Sequence, residues 1–205
     1  MCIRDRVSCA SASFCEVNDA AGNVLTYNGT AWSYPTSVDA ARTGSSISCP
    51  TSSFCASVDT SGYAQLYTTA SSAWTSKDVN STRAIDAITC VSSTLCVAVG
   101  ASGYATIYNG TSWSTPADVD STRTMDAVSC VSSTFCVAVD TAGYAVIYNG
   151  SSWGTPTDID STRSINAISC ASSTFCVAVG ASGYAAKYTG TWATATAVSY
   201  THLQF

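Results

Sequence analysis

Histidine and glutamate are almost missing from this sequence of 205 residues, with one of each, His202 and Glu16. Their scarcity excludes most catalytic designs. A serine nucleophile needs a neighbouring base, usually histidine, so the many serines here have nothing to activate them. Structural zinc sites, which favour C-x2–4-C spacing joined by further Cys or His, are disfavoured as well. Charge is also sparse: 10% of residues, with 8 basic side chains against 13 acidic ones. So few cations cannot displace the counterions of a polyphosphate backbone, which excludes a nucleic-acid partner. The net charge of −5 likewise opposes an anionic membrane surface. No apolar run approaches the roughly 18 residues that span a bilayer, so no membrane insertion is expected. Helical periodicity is absent throughout.

What is present is a unit of about forty residues that occurs five times in tandem. A cysteine pair marks each copy: Cys9/Cys15, Cys49/Cys55, Cys90/Cys96, Cys130/Cys136 and Cys170/Cys176. The first cysteines fall 40, 41, 40 and 40 residues apart. A tandem period of this size signals a solenoid or a propeller, one supersecondary unit per repeat.

The two ends do not fit the repeat. Residues 198–203 back-translate to a DNA stretch whose reverse complement encodes Met1-Cys2-Ile3-Arg4-Asp5. Two unrelated protein segments should not be readable from opposite strands of one element. The match points to a transposon-end sequencing adapter read through at both ends of a short fragment. Residues 1–6 and 199–205 are therefore set apart as adapter-derived tails, and residues 7–198 are expected to form one domain. Without the tails Cys2 and His202 disappear, ten paired cysteines remain, and the balance becomes 6 basic against 12 acidic side chains.

One repeat reads as four short strands. In residues 126–165, Asp126-Ala-Val-Ser-Cys130 is the first. Phe135-Cys-Val-Ala-Val139 is the second, apolar on both faces as in a sheet covered on both sides. Asp140-Thr-Ala-Gly143 carries type I turn residues, and Tyr144-Ala-Val-Ile-Tyr148 is the third strand. Asn149-Gly150 predicts a type I′ hairpin, in which both central residues take positive φ. Trp153 to Ile159 is the fourth strand, marked as an edge by Pro156. The expected fold class is all-β: a β-propeller of five four-stranded antiparallel blades. A closed ring is the first expectation, and an open arc of a larger propeller is the alternative.

Each C-x5-C places two cysteines across the first hairpin. A cross-strand disulfide fits if they face each other as a non-hydrogen-bonded pair; reduced cysteines used as small core residues are the other reading. Disulfides would place the protein outside the cytoplasm, extracellular or on a cell surface.

The segment Ala98-Val-Gly-Ala-Ser-Gly-Tyr-Ala-Thr-Ile-Tyr-Asn-Gly-Thr-Ser-Trp113 resembles the repeats of the Asp-box and photosystem-assembly-factor-like propeller superfamily, which read roughly V-G-x-x-G-x-x-x-x-Y-x-G-x-x-W. The resemblance extends over nearly all of residues 7–198 and implies architecture. The Asp-box aspartate is replaced by Tyr27, Tyr108 and Tyr148. The sialidase chemistry that this superfamily sometimes hosts needs an arginine triad and a tyrosine–glutamate pair, and Glu16 is the single glutamate. Fold does not carry function.

Three sets of recurring residues could carry binding. Trp32, Trp74, Trp113, Trp153 and Trp192 occur once per unit and read either as inter-blade packing or as stacking platforms for sugars. Arg42, Arg83, Arg123 and Arg163 recur in the inter-blade loop, either bonded to an acid of their own or a neighbouring blade or presented as a ring of donors on one propeller face. Asp118-Val-Asp120-Ser-Thr and Asp158-Ile-Asp160-Ser-Thr offer oxygens at Ca²⁺-like spacing, although no cofactor is otherwise called for. The N-x-[ST] sequons at Asn28, Asn80, Asn109 and Asn149 read as by-products of the turn sequence. Asp86, Asp126 and Asn166 share one repeat position, which points to a structural cause. The expected function is a non-catalytic, secreted or cell-surface propeller for binding or adhesion, lectin-like, with a glycan or an extracellular protein as partner. The candidate ligand residues are Trp113, Trp153, Arg123, Arg163, Asp120 and Asp160. An accessory propeller of a longer extracellular enzyme and a structural envelope spacer are the alternatives.

Overall fold

The structure is a computed structural model and describes residues 6–39 and 42–198. Each repeat folds into one four-stranded antiparallel sheet whose strands follow chain order from edge to edge. Blade 1 is β1 (Arg6–Ser11), β2 (Phe14–Asn18), β3 (Asn23–Tyr27) and β4 (Thr36–Ser37). Blade 2 is β5 (Gly44–Thr51), β6 (Phe54–Asp59), β7 (Tyr63–Thr68) and β8 (Ala73–Asp78). Blade 3 is β9 (Ile85–Ser92), β10 (Leu95–Gly100), β11 (Tyr104–Tyr108) and β12 (Ala117–Asp118). Blade 4 is β13 (Met125–Ser132), β14 (Phe135–Asp140), β15 (Tyr144–Tyr148) and β16 (Thr157–Asp158). Blade 5 is β17 (Ile165–Ser172), β18 (Phe175–Gly180), β19 (Tyr184–Tyr188) and β20 (Thr196–Ala197). The residues set apart as tails lie outside the described residues, except Arg6, which opens β1.

The innermost strands stack in succession, β1 on β5, β5 on β9, β9 on β13 and β13 on β17. This radial stacking makes the chain a β-propeller. The second strand of each blade shows why both its faces are apolar. Val137 and Val139 of blade 4 meet Cys176, Ala178 and Tyr188 of blade 5, while Cys136 and Ala138 turn back toward Val97 and Val99 of blade 3. Serine hydroxyls stitch the inner strands: Ser8, Ser48 and Ser129 each accept the amide N–H of the first cysteine of the following blade, Cys49, Cys90 and Cys170.

All five expected cysteine pairs are bonded: Cys9–Cys15, Cys49–Cys55, Cys90–Cys96, Cys130–Cys136 and Cys170–Cys176, with Cα atoms 3.9–4.2 Å apart. In blades 1, 3, 4 and 5 the two cysteines are direct register partners across the first hairpin. Blade 2 departs from that expectation. Its ladder shifts between Ser48 and Thr51, so Cys49 and Cys55 are bonded without being register partners. Pro50, which has no N–H to give the ladder, stands within the shift.

The second cysteines also serve the core. Cys55 packs with Ile47 and against Phe14, Tyr67 and Trp74 of the blade 1–blade 2 boundary. Cys96 joins Phe54, Ala56 and Ile88 between blades 2 and 3. Both are fully buried, as are Cys136 and Cys176, whereas Cys15 in the outlying first blade is half-buried. The two readings of these residues therefore hold together: each second cysteine is bonded, and those with a blade before them also fill the space between sheets.

Two further local expectations differ from the structure. Only the glycines of the Asn-Gly hairpins take positive φ, +94° at Gly29, Gly110 and Gly150. The turns are therefore not type I′; glycine at the first central position is the requirement of type II′. The asparagine stays out of that region because its side chain is already engaged: Asn109 Oδ1 accepts the amide N–H groups of Thr111 and Ser112. The fourth strand is also shorter than expected. Trp153 forms an isolated bridge to Tyr148, and a regular ladder resumes only at Thr157–Asp158. Pro156 stands between them with no N–H to donate, although blade 5 shows the same break at β20 with Ala195 in that place. Blade 2 has no proline there, and β8 runs unbroken through Ala73–Asp78.

Among the described residues the expected closure of the ring is not seen. Among the described residues β17 has no packing on β1 comparable to the four internal contacts. Phe175 and Val179 are 42% and 43% exposed, whereas their counterparts Phe135 and Val139 are at 9% and 0%. On the other end Val7 is 63% exposed against 7% for Ile47.

Candidate functional site

The hairpin that follows the third strand returns the chain so that each tryptophan pairs with the tyrosine closing that strand. Trp113 lies 5.4 Å from Tyr108 at 45°, and Trp153 lies 5.3 Å from Tyr148 at 48°. Such tilted pairs fix the indole without burying it fully. Three of these tryptophans wall a cleft between their own blade and the preceding one. Trp74 faces Phe14, Val24 and Thr26 across a cleft of about 210 Å³. Trp113 faces Leu66, Thr75 and Lys77 across one of about 410 Å³. Trp153 faces Ile107, Ala117 and Asp118 across another of about 410 Å³. Hydroxyls line the remaining walls, among them Thr111 and Ser112 beside Trp113 and Ser151 and Ser152 beside Trp153.

The arginine positions lie elsewhere. Arg42, Arg83, Arg123 and Arg163 stack on Tyr63, Tyr104, Tyr144 and Tyr184 of the blade they lead into, 3.4–4.2 Å from the ring centroids. Arg123 also holds two buried carboxylates: its Nε donates to Asp140 Oδ2 at 2.7 Å, and its Nη2 pairs with Asp120. Arg163 Nε donates to Asp160 Oδ2 at 3.0 Å. Cation–π contact and charge-assisted bonding together make Arg42, Arg123 and Arg163 staples between a loop and the next blade, whereas Arg83, with Asn80 in place of the aspartate, keeps the cation–π contact alone among the described residues. Arg123, Arg163, Asp120 and Asp160 line none of the three clefts, so the structure separates them from Trp113 and Trp153. The disulfide cysteines, Cys15, Cys55 and Cys96 among them, line none of these clefts either; each bridge joins the first two strands within one blade. The carboxylates of the Ca²⁺-like pattern are engaged too, Asp118 Oδ1 by the Ser121 amide at 2.7 Å and Asp120 by Arg123. Among the described residues no three Asp, Glu, His or Cys side chains stand together as a metal cluster.

A further cavity of about 710 Å³ lies on the propeller axis and takes residues from all five blades. Ser45, Asp86, Asp126 and Asn166 line it from one repeat position, with Arg6 contributed by blade 1. Burial raises the Asp86 and Asp126 carboxyls above the ordinary range, and Asp126 adds to the shift at Asp86. Sequence reasoning did not see this set as a site, although its signal was legible: Ser45, Asp86, Asp126 and Asn166 each precede their blade's first cysteine by the same interval. Glu16 was also missed. Burial pushes its carboxyl up to about 7; Oε1 accepts a bond from Thr26 Oγ1 at 2.9 Å, and Oε2 has no protein partner.

No family model matches the chain. No curated protein matches it by sequence. Its shape is nevertheless shared with solved structures. It is similar to the structure of U3-55K (TM-score 0.74, 11% identity, 89% of this chain and 61% of that one). It is similar to the RRP9 WD40 repeats (0.74, 11%, 89% and 60%). It is also similar to YCF48 bound to D1 peptide (0.69, 13%, 93% and 66%). At these identities the likeness concerns the fold. The chain spans less than two thirds of each of the proteins it matches.

Proposed function

We propose that this propeller is a non-catalytic binding module, secreted or displayed on a cell surface, that takes polyhydroxyl ligands such as glycans in its inter-blade clefts. The observation that carries the reading is the recurrence of one cleft, walled by an indole and lined by hydroxyls, at three successive blade boundaries. A partly exposed indole beside hydroxyls offers a sugar ring an apolar face and hydrogen-bond partners together. Equivalent sites in a row raise avidity for a repeating ligand without strengthening any single contact. Five disulfides support an oxidising compartment. The scarcity of histidine and glutamate supports the absence of chemistry. The Y-x-G-x-x-W hairpins that place Trp113 and Trp153 keep the Asp-box-like repeat within this reading as a degenerate form. A glycan array with the native protein, repeated with Trp113→Ala and Trp153→Ala, tests it. Binding unchanged in soluble, folded variants removes the stacking role.

The axial cavity favours a second reading, a peptide or protein partner that presents a cationic group to Asp86 and Asp126. One structural neighbour, YCF48, carries a peptide. Asp86→Asn with Asp126→Asn would abolish that binding and leave the clefts untouched.

A further inference from the structure

The clefts are built alike but are not charged alike. In register with the first apolar residue of the third strand, the outer strands place Thr36 opposite Val24, Lys77 opposite Ala64, Ala117 opposite Ala105, Thr157 opposite Ala145 and Thr196 opposite Ala185. Blade 2 alone puts a cation there. It also alone has a six-residue outer strand, Ala73–Asp78, where the others have two residues. The longer edge runs beside the groove toward blade 3. Two hollows of about 410 and 310 Å³ meet along it, and Lys77 and Trp113 line both.

Lys77 is solvent-exposed and, among the described residues, stands in no ion pair. By contrast, Arg42, Arg123 and Arg163 are each bound to an aspartate. The groove therefore holds an ammonium free to meet a ligand, an indole wall and a bank of hydroxyls from Thr75, Ser76, Thr111 and Ser112. Asp78, at the far end, already accepts the Ser81 amide at 2.8 Å through Oδ1, which leaves its other oxygen to take a bond from a sugar hydroxyl.

We infer that the blade 2–blade 3 groove is specific for anionic saccharides, with the carboxylate of a uronic-acid unit seated on Lys77 and the ring against Trp113. The inference rests on the glycan reading proposed above and adds a ligand class and a single preferred cleft to it. The charge contrast is the deciding feature, because the chain is acidic overall and repels an anion everywhere that no cation intervenes.

The test is calorimetric titration with trigalacturonate and with its methyl ester, which masks the charge and keeps the hydroxyls. At low salt the native protein should bind the charged form roughly three- to fivefold more tightly, as expected of one exposed ion pair. The preference should vanish near 1 M salt, where screening is short-ranged. Lys77→Ala should remove the preference and keep ester binding; Lys77→Glu should invert it. Ala117→Lys, at the exposed equivalent position in blade 3, should raise the number of charged-ligand sites by one. Ester binding without a charge preference, or a preference that survives Lys77→Ala, overturns the inference and leaves the glycan reading intact. If neither form binds and the glycan array is blank, the glycan reading itself falls.

Discussion

Asp120 and Asp140 test the physics of this fold most sharply, because the molecule contains its own control. At the blade 1–blade 2 boundary Arg42 holds Asp39, and Gln65 Nε2 donates to both Asp39 Oδ2 (2.7 Å) and Asp59 Oδ2 (2.8 Å). At the blade 3–blade 4 boundary Arg123 holds Asp120 and Asp140, but the position of Gln65 is taken by Val146, buried and without a donor. Both carboxylates there are fully buried, and Asp120 Oδ2 lacks a hydrogen-bond partner. One guanidinium cannot neutralise two anions, so the pair is expected to keep a proton where the amide would have stood. Burial first, and Asp140 second, push the Asp120 carboxyl from 3.8 to about 7, against the opposing pull of Arg123.

The sign follows from linkage. Between about pH 4 and pH 7 the folded protein holds a proton on this pair that the unfolded chain has released. Stability contributed by the proton is complete below the unfolded value and is lost as pH rises through the folded one. At ~1.4 kcal/mol per unit the shift sets a ceiling of about 4 kcal/mol, and relaxation of the site brings the working figure to roughly 2–3 kcal/mol. Glu16, Asp59, Asp86 and Asp126 are raised as well, so the native profile does not isolate the pair. The difference between variants does. Asp120→Asn mimics the protonated acid and should match the native protein near pH 4, below which the proton's contribution is complete, and pull ahead of it as pH rises. At pH 8 it should be more stable by those roughly 2–3 kcal/mol, or by about 4–12 °C in Tm. Val146→Gln should level the profile in the same way, minus a pH-independent crowding cost of about 1–3 kcal/mol. Denaturant unfolding of the oxidised protein across pH 4–8 is the assay. Parallel curves for native protein and Asp120→Asn would refute the shared proton.

Alkylation mass spectrometry without reductant should find no free thiol among the ten cysteines from Cys9 to Cys176, and each Cys→Ser pair should cost about 2 kcal/mol, the chain-entropy value for a loop of about seven residues; ten reactive thiols would remove both the bridges and the extracellular assignment. Analytical ultracentrifugation should show concentration-dependent association, because the end blades expose Val7, Phe175 and Val179; Phe175→Asp should weaken it, and a protein monomeric at every concentration would contradict this. Gly143→Ala should cost upward of about 2 kcal/mol by thermal melting: its φ is +89°, and a Cβ there would stand 1.8 Å from the Asp160 carbonyl oxygen. An unchanged Tm would mean that the turn accepts a side chain.

Different parts of this molecule were legible to different degrees, and the reason is the reach of each interaction. Strand positions, the turn at Asp140–Gly143 and the cysteine partners depend on residues within one repeat, and a fivefold pattern reports them repeatedly. The register at Cys49 and Cys55 escaped that pattern because Pro50 belongs to one copy only. The φ assignment at Asn149 failed because a side-chain bond to the Ser151 and Ser152 amides outweighed a backbone preference. Trp113 and Trp153 could be seen as recurrent but not as cleft walls, since their second wall comes from the blade before. Lys77 drew no notice in the sequence: it interrupts a pattern by one residue, and a repeat analysis discards such a departure as noise. Yet the clefts are otherwise near-copies, and near-copies cannot tell ligands apart. In a protein made of repeats the shared residues fix the fold, and selectivity has to reside where one copy departs from the rest. That logic directs attention to Lys77 in blade 2, and to Glu16 in the cleft of blade 1, ahead of any residue that every blade repeats.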